Sequence, residues 1–309
     1  MTLTPARPTG AEPRTRPDRP RRGGQMVVET AAPGPLLVRG TPAPARVAVP
    51  RRLPAAVRPA VWLPTLVAVA VVGAAWQLVA AGNPYVLPDL REVGTALVDD
   101  PLLFVTNAWA TLQIALLGLL YGFVAAFVLA VLVSESALLR RAIMPLASVL
   151  NVTPVVALAP GLVVAFGFGL APKIIVTAII TFFPVLANVS TGLRSVPLPV
   201  LDVFRTLRAS RLEVLARLRV PSAMPYTLAA LRVTLPLSVV GAVVAEFVAA
   251  GSSSGLGTMI KTSAANSQLP QMYAAVTCLA LLGVLMLAVI ALLERRLLFW
   301  HESQQRPRT

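Results

Sequence analysis

The chain is poor in the residues that do chemistry. It holds one histidine (His301), one cysteine (Cys278) and two lysines (Lys173 and Lys261) in 309 residues. A single cysteine excludes an intrachain disulfide. With Cys278 in an apolar run and His301 in a polar tail, neither a Cys/His metal cluster nor a Ser/His/Asp set can be assembled. A phosphate-cradling loop needs Gly-Lys-Ser/Thr after a glycine-rich turn. Lys173 follows Pro172 and Lys261 follows Ile260, so neither lysine serves. Catalytic function within this chain is therefore not expected, and any energy source must come from a partner. Charge is also scarce, at 13% of residues against 56% hydrophobic. That balance is too apolar for a soluble domain with one core.

Positive charge predominates, with 27 Lys and Arg against 13 Asp and Glu. The net charge is +14, but the arginines gather in a tail and in gaps between apolar runs. This is the distribution of the positive-inside rule rather than of a nucleic-acid surface, so no nucleic-acid partner is expected. Residues 1–58 are rich in Pro, Arg and Ala, with little apolar periodicity, and read as a disordered cytoplasmic tail. No apolar core follows the first positive charges, so this is not a signal peptide. Met26 is a candidate alternative start. Residues 59–300 form the membrane domain, and 301–309 a second tail.

A span needs about 20 residues to cross about 30 Å of hydrocarbon. Six runs qualify: Val61–Ala81, Trp109–Val133, Ile143–Phe166, Ile174–Thr191, Tyr226–Ala250 and Tyr273–Leu293. The third is interrupted by Pro145, Pro154 and Pro160, the fourth contains Pro184, and the fifth contains Pro236. Prolines kink spans and leave carbonyls for neighbours to satisfy. Gly118, Gly122, Ala125 and Ala126 permit close helix packing in the second span. With six spans, Arg51, Arg52, Arg58, Arg140, Arg141, Arg194 and the arginines at 205–219, 295 and 296 all fall on one side. Both termini are then cytoplasmic. Asn83–Asn107 is external, with a short surface helix from Pro88 to about Val98. GSSSGLG, residues 251–257, reads as an external turn.

The stretch Pro199–Pro221 is a polar island between apolar runs. Val200, Val203, Phe204 and Leu207 recur at the spacing of one helix face. Ser210 followed by Glu213 is a capping-box pattern that opens a second helix, along which Leu212, Leu215 and Leu218 share a face. Two short amphipathic helices are predicted, with a break near Arg208 and a close at Val220–Pro221. Arginines in such a hairpin cannot lie in lipid.

This stretch resembles the cytoplasmic coupling loop of ABC-importer permeases, which reads EAA, three residues, Gly, nine residues, I-x-L-P. Asp202-Val203-Phe204 stands at the EAA position and Leu218-x-Val220-Pro221 at the close, without a gap. The acidic residue is Asp, and the family glycine is Arg208. Together with VVAEF and SSSGLG, the pattern is similar to the nitrate/sulfonate/taurine branch over roughly residues 60–300. The resemblance implies a MetI-like fold: an all-α integral membrane protein of six spans with a cytoplasmic coupling hairpin. It implies ATPase coupling through Asp202, Arg205, Thr206, Arg208, Ala209 and Ser210, with Glu213 and Pro221 framing the hairpin. It also implies separate ATPase subunits binding ATP and Mg, an extracytoplasmic substrate-binding protein, a second permease copy or sister, and a bacterial inner-membrane location. The substrate it implies is a small anion such as an aliphatic sulfonate, taurine or nitrate. Permeases for pyrimidine vitamin precursors share the motifs and stand as the alternative.

Glu246 is the one carboxylate of the fifth span, placed near its external end. A gating or hydrogen-bonding role, a snorkelling side chain and a substrate contact are the open readings. Asn151 and Thr153 at the kink of the third span, and Thr181 in the fourth, are pathway candidates for an anion. An ion-coupled secondary carrier would show internal repeats and several intramembrane ionisable groups. Only Glu246 is there, and no repeat is clear. An integral-membrane enzyme would need a polar cluster at one membrane face, which is absent from the sequence.

Overall fold

The computed structural model describes residues 59–248 and 254–297. The tail 1–58 with Met26, the first residues of GSSSGLG and the C-terminal tail with His301 lie outside the described residues. The elements are α1 (Pro59–Gly82), α2 (Leu90–Asp99), α3 (Pro101–Glu135), α4 (Ala137–Val152), α5 (Val155–Phe166), α6 (Leu170–Gly192), α7 (Leu198–Thr206), α8 (Arg211–Val214), α9 (Val220–Val248), α10 (Leu256–Ala265) and α11 (Leu269–Leu297). A π-helical turn, Leu215–Arg219, joins α8 to α9. No strand occurs among the described residues.

Five helical stretches there are long and apolar enough to cross a membrane. Arg211–Val248 counts as one of them, and α4 with α5 makes a sixth if that bent pair is a single span. The third expected span is thus not one kinked helix. The two halves meet at 93°. The residue before a proline is pushed out of the helical region, and Thr153, before Pro154, is extended at φ −64°, ψ 129°.

The second span starts earlier than its apolar run. Pro101 sits at the first helical turn and the Asp100 side chain accepts a hydrogen bond from the Leu103 N–H at 3.1 Å, so the helix is capped well before Trp109. The expected external loop is correspondingly shorter, and its surface helix is α2. Asp89 makes no side-chain cap there. Gln77 of α1 takes over instead, bonding Asp89 and accepting weakly from the Leu90 N–H.

The centre of the bundle is α3, α6 and α9. One apolar cluster joins α3, α9 and α11 around Ile114, Val239 and Ile290, and a second joins α3, α4, α6 and α9 around Ala130, Ala147, Val189 and Ala230. Glycine sets the α3–α6 distance. A Cβ at Gly122 would lie 2.6 Å from the Ala178 carbonyl oxygen, and Gly118 faces Thr177 as closely. This is the small-residue packing that lets backbones meet in lipid. The first span is peripheral. It is tied on by the Trp76 indole, which donates to the Pro88 carbonyl and meets the Tyr273 ring edge-on at 5.2 Å.

Candidate functional site

Two constructions lie at opposite ends of α3. The first is an elbow, residues 198–219. Its break is a Schellman motif. The Arg208 N–H bonds the Arg205 carbonyl at 3.0 Å and the Ala209 N–H bonds the Phe204 carbonyl at 3.0 Å, with Leu207 as C-cap. Arg208 takes the left-handed position, at φ 52°. A residue with a Cβ costs about 1–2 kcal/mol there, so Arg208 accepts the strain that glycine would avoid. Arg208→Gly is expected to raise the midpoint of thermal unfolding by an amount equivalent to about 1 kcal/mol, and Arg208→Val to lower it. Differential scanning fluorimetry of the purified protein checks both.

The capping box at Ser210 is complete. The Ser210 side chain accepts from the Glu213 N–H at 3.3 Å, and the Glu213 carboxylate accepts from the Ser210 N–H at 2.9 Å. That N–H, followed by the Ser210 hydroxyl, holds the Glu213 carboxyl below the usual carboxylate range. The cap is therefore strongest above the ordinary glutamate range and is lost as pH falls through the lowered value.

The second elbow helix does not close at Val220–Pro221, as its sequence predicts. Pro221 has no N–H and its ring crowds the carbonyl four residues back. The chain answers by widening: the Val220 N–H reaches the Leu215 carbonyl in the π turn, and the helix runs on into α9. The elbow is thus the direct extension of a central span. It is also fastened to α3, because Arg219 Nη1 lies 2.6 Å from Glu135 Oε1. Asp202 pairs with Arg205 on the same helix at 2.9 Å, both exposed. A cavity of about 410 Å³ opens between the elbow and the end of α3, bordered by Glu135, Leu201, Arg205, Arg211 and Arg219. Neither α7 nor α8 buries a residue.

The second construction surrounds Glu246. Of the open readings, a snorkelling side chain is overturned, since Glu246 is 0% exposed. Oε1 accepts from the Thr111 hydroxyl at 2.9 Å and Oε2 from the Gly257 N–H at 2.6 Å. The Gly255 N–H donates to Asn107 Oδ1 at 2.7 Å and the Leu256 N–H to Thr111 Oγ1 at 2.8 Å. The buried ammonium of Lys173 on α6 attracts the same carboxylate. The described part of GSSSGLG is therefore the start of α10 rather than a plain turn. Gly255, at φ 125°, has no room for a Cβ beside Glu246.

Comparison with known proteins bears on this arrangement of central spans, elbow and α10. Residues 118–299, more than half of the chain, match the family described as binding-protein-dependent transport system inner membrane component. The chain belongs to this family. It is a membrane-spanning permease of the ABC-importer type.

The permease is 35% identical over 232 residues to a formylaminopyrimidine transport permease of Halalkalibacterium halodurans, covering 74% of this chain and 92% of that protein. It is 31% identical to a putative aliphatic sulfonates transport permease of Bacillus subtilis, covering 79% and 90%. A solved structure, an inward-facing conformation of the MetNI methionine ABC transporter, matches with a TM-score of 0.57 at 20% identity. It covers 64% of this chain and 98% of that one. That likeness speaks for the fold, which is MetI-like.

The remaining sequence candidates of the permease are dispersed. Asn151 is exposed at the end of α4. The Thr153 hydroxyl donates to the Val149 carbonyl at 2.8 Å. The Thr181 hydroxyl donates to the Thr177 carbonyl at 3.1 Å and faces Gly122 of α3. Each threonine thus spends its hydroxyl on its own helix. Asn107, Thr111 and Lys173, which complete the Glu246 cluster, are absent from the sequence-based set. In the sequence Lys173 stands out as an unsuitable phosphate ligand. Lys173 directly precedes the expected fourth span, but α6 begins earlier, at Leu170, and so takes the charge inside, where it needs a partner.

Proposed function

We propose that this permease carries its solute into a bacterial cell across the inner membrane, driven by separate ATPase subunits that bind ATP and Mg and contact the elbow. Asp202, Arg205, Thr206, Arg208, Ala209 and Ser210 form the contact, and Glu213 and Pro221 set its shape. The observation that carries the reading is the elbow itself. It is rigidly capped, continuous with α9 and pinned to α3, yet it exposes Val203, Leu207 and Leu212. An amphipathic helix of that kind suits a partner's groove, and a push on it would travel along a packed span as rigid-body motion. Arg140 stands near enough to Arg194 to depress it further after burial has done so. Positive charge gathered at the elbow end supports a cytoplasmic elbow with both termini on that side. A substrate-binding protein delivers the solute outside, and a second permease copy completes the pathway.

For the solute, the sequence suggests a small anion, and the likeness to a sulfonate permease supports it. A small pyrimidine is the second reading, favoured by the higher identity to the formylaminopyrimidine permease and by charge. Lys173 and Glu246 are both buried and interact electrostatically, so the pair adds no net positive charge with which to hold an anion. The test is uptake into proteoliposomes holding the permease, its ATPase and its binding protein. The proposal expects ATP-dependent uptake, inhibited by formylaminopyrimidine on the pyrimidine reading and by taurine or nitrate on the anion reading. Uptake driven by a proton or sodium gradient without ATPase would refute it.

A further inference from the structure

The groups around Glu246 are of one kind. Thr111 offers O–H to it, Gly257 offers a backbone N–H, and Lys173 of α6 adds electrostatic attraction. A cluster made only of donors is satisfied by an acceptor-only group with two oxygens, which is what a carboxylate is. The N-terminus of a helix adds its own positive end. Glu246 is thus an internal acceptor seated on the first turn of α10. Asn107 and Thr111 of α3 take the two neighbouring N–H groups, at Gly255 and Leu256. Buried side chains of α3, α6 and α9 gather at this point around the backbone N–H groups that open α10. Apolar contact adds a second hold, with Leu256 and Met259 of α10 packed beside Phe104 of α3.

We propose that Glu246, Lys173, Thr111 and Asn107 form a latch of positioning residues that makes α10 move with α3, α6 and α9 as one body, and that tight coupling of ATP hydrolysis to transport depends on it. The second half rests on the ATP-driven reading above; the first half does not. The elbow extends α9 at one end and the latch holds α10 near the other. Motion entering α9 therefore reaches α10 through a buried, hydrogen-bonded joint. The joint at Glu246 ties α9 to the start of α10, and the Lys261 ammonium of α10 adds a second tie to the Phe247 carbonyl of α9 at 2.7 Å.

The first test is hydrogen–deuterium exchange of the full-length permease in lipid nanodiscs. In Glu246→Gln the side chain keeps its size but has one acceptor oxygen and gains two donors. Amides at 255–259 are expected to exchange at least 30-fold faster, while those at 114–119 in α3 keep their wild-type rates. In Glu246→Ala the effect is larger, and 50 mM formate, a free carboxylate, restores at least part of the protection. Lys173→Met speeds the same amides by a smaller factor. Unchanged exchange at 255–259 in Glu246→Gln overturns the latch. So does acceleration spread equally over α3 and α10, which marks a general structural role.

The second test reads ATP hydrolysed per solute imported by the reconstituted complex. The ratio should rise at least fivefold in Glu246→Gln. A wild-type ratio despite loosened α10 amides overturns the coupling half. Should the wild-type complex show no ATP-dependent uptake, the transport reading fails, and the exchange experiment still decides the latch.

Discussion

Valine in place of Gly255 should leave little folded permease to purify. The backbone there has φ 125°, a region that side-chain-bearing residues avoid at about 1–3 kcal/mol. A Cβ would also enter the space of the Glu246 carboxylate, within 2.7 Å of Oε2. Forcing extra atoms into a packed site costs about 1–3 kcal/mol more. The sum is on the order of 4 kcal/mol, a large part of the roughly 5–15 kcal/mol that holds most proteins folded. Alanine at Gly255 should do the same to a lesser degree. Gly283 is the control, since a Cβ there meets nothing within 4 Å; Gly283→Ala should behave as wild type. Yield of monodisperse protein and the midpoint of thermal unfolding measure all three. A Gly255→Val protein as stable as the Gly283→Ala one would contradict the packing described around Glu246.

The second large effect is expected at the other end of α3. Arg219 and Glu135 form the tie between the elbow and that helix, and both are partly shielded from water, at 21% and 34% side-chain exposure. Arg219→Glu would set two carboxylates against each other. Contacting charges in such a pair couple by on the order of 1–2 kcal/mol, about a tenfold effect. Import should therefore fall about tenfold while ATP hydrolysis by the complex continues. The swapped pair Glu135→Arg with Arg219→Glu should return import to within about threefold of wild type, because the attraction is restored with its geometry reversed. Failure of the swap to restore import, with the complex intact, would show that the tie does not carry motion.

Much of the elbow was legible in the sequence because its signals are local. The break near Arg208 and the Ser210–Glu213 box each lie within a few residues, and both formed as read. The errors came where a local rule met a competing one. Hydropathy placed the start of the second span at Trp109, although Asp100-Pro101 carried a helix-start signal. Pro221 reads as a stop, but a single π turn absorbed it and α9 continued. Pro154 reads as a kink, and with Thr153 extended it became a right-angled turn between α4 and α5.

The Glu246 cluster was half legible. An intramembrane carboxylate announces a partner, but Thr111 lies 135 residues away and Asn107 lies 148 residues from the Gly255 amide it accepts. Only the close approach of α3, α6 and α9 brings them together. Glycine told a similar story. GSSSGLG reads as an external turn by composition, whereas Gly255 and Gly257 are needed where the backbone must touch a side chain.

The account turns on whether the elbow faces the cytoplasm and touches a motor. The most direct measurement places a cysteine at Arg205 in a Cys278→Ala background and labels it with a membrane-impermeant maleimide. Labelling is expected in inverted vesicles and not in right-side-out ones, and it should fall sharply when the ATPase subunits are bound. Labelling from the outer face, or labelling in inverted vesicles that bound ATPase leaves unchanged, would contradict the account.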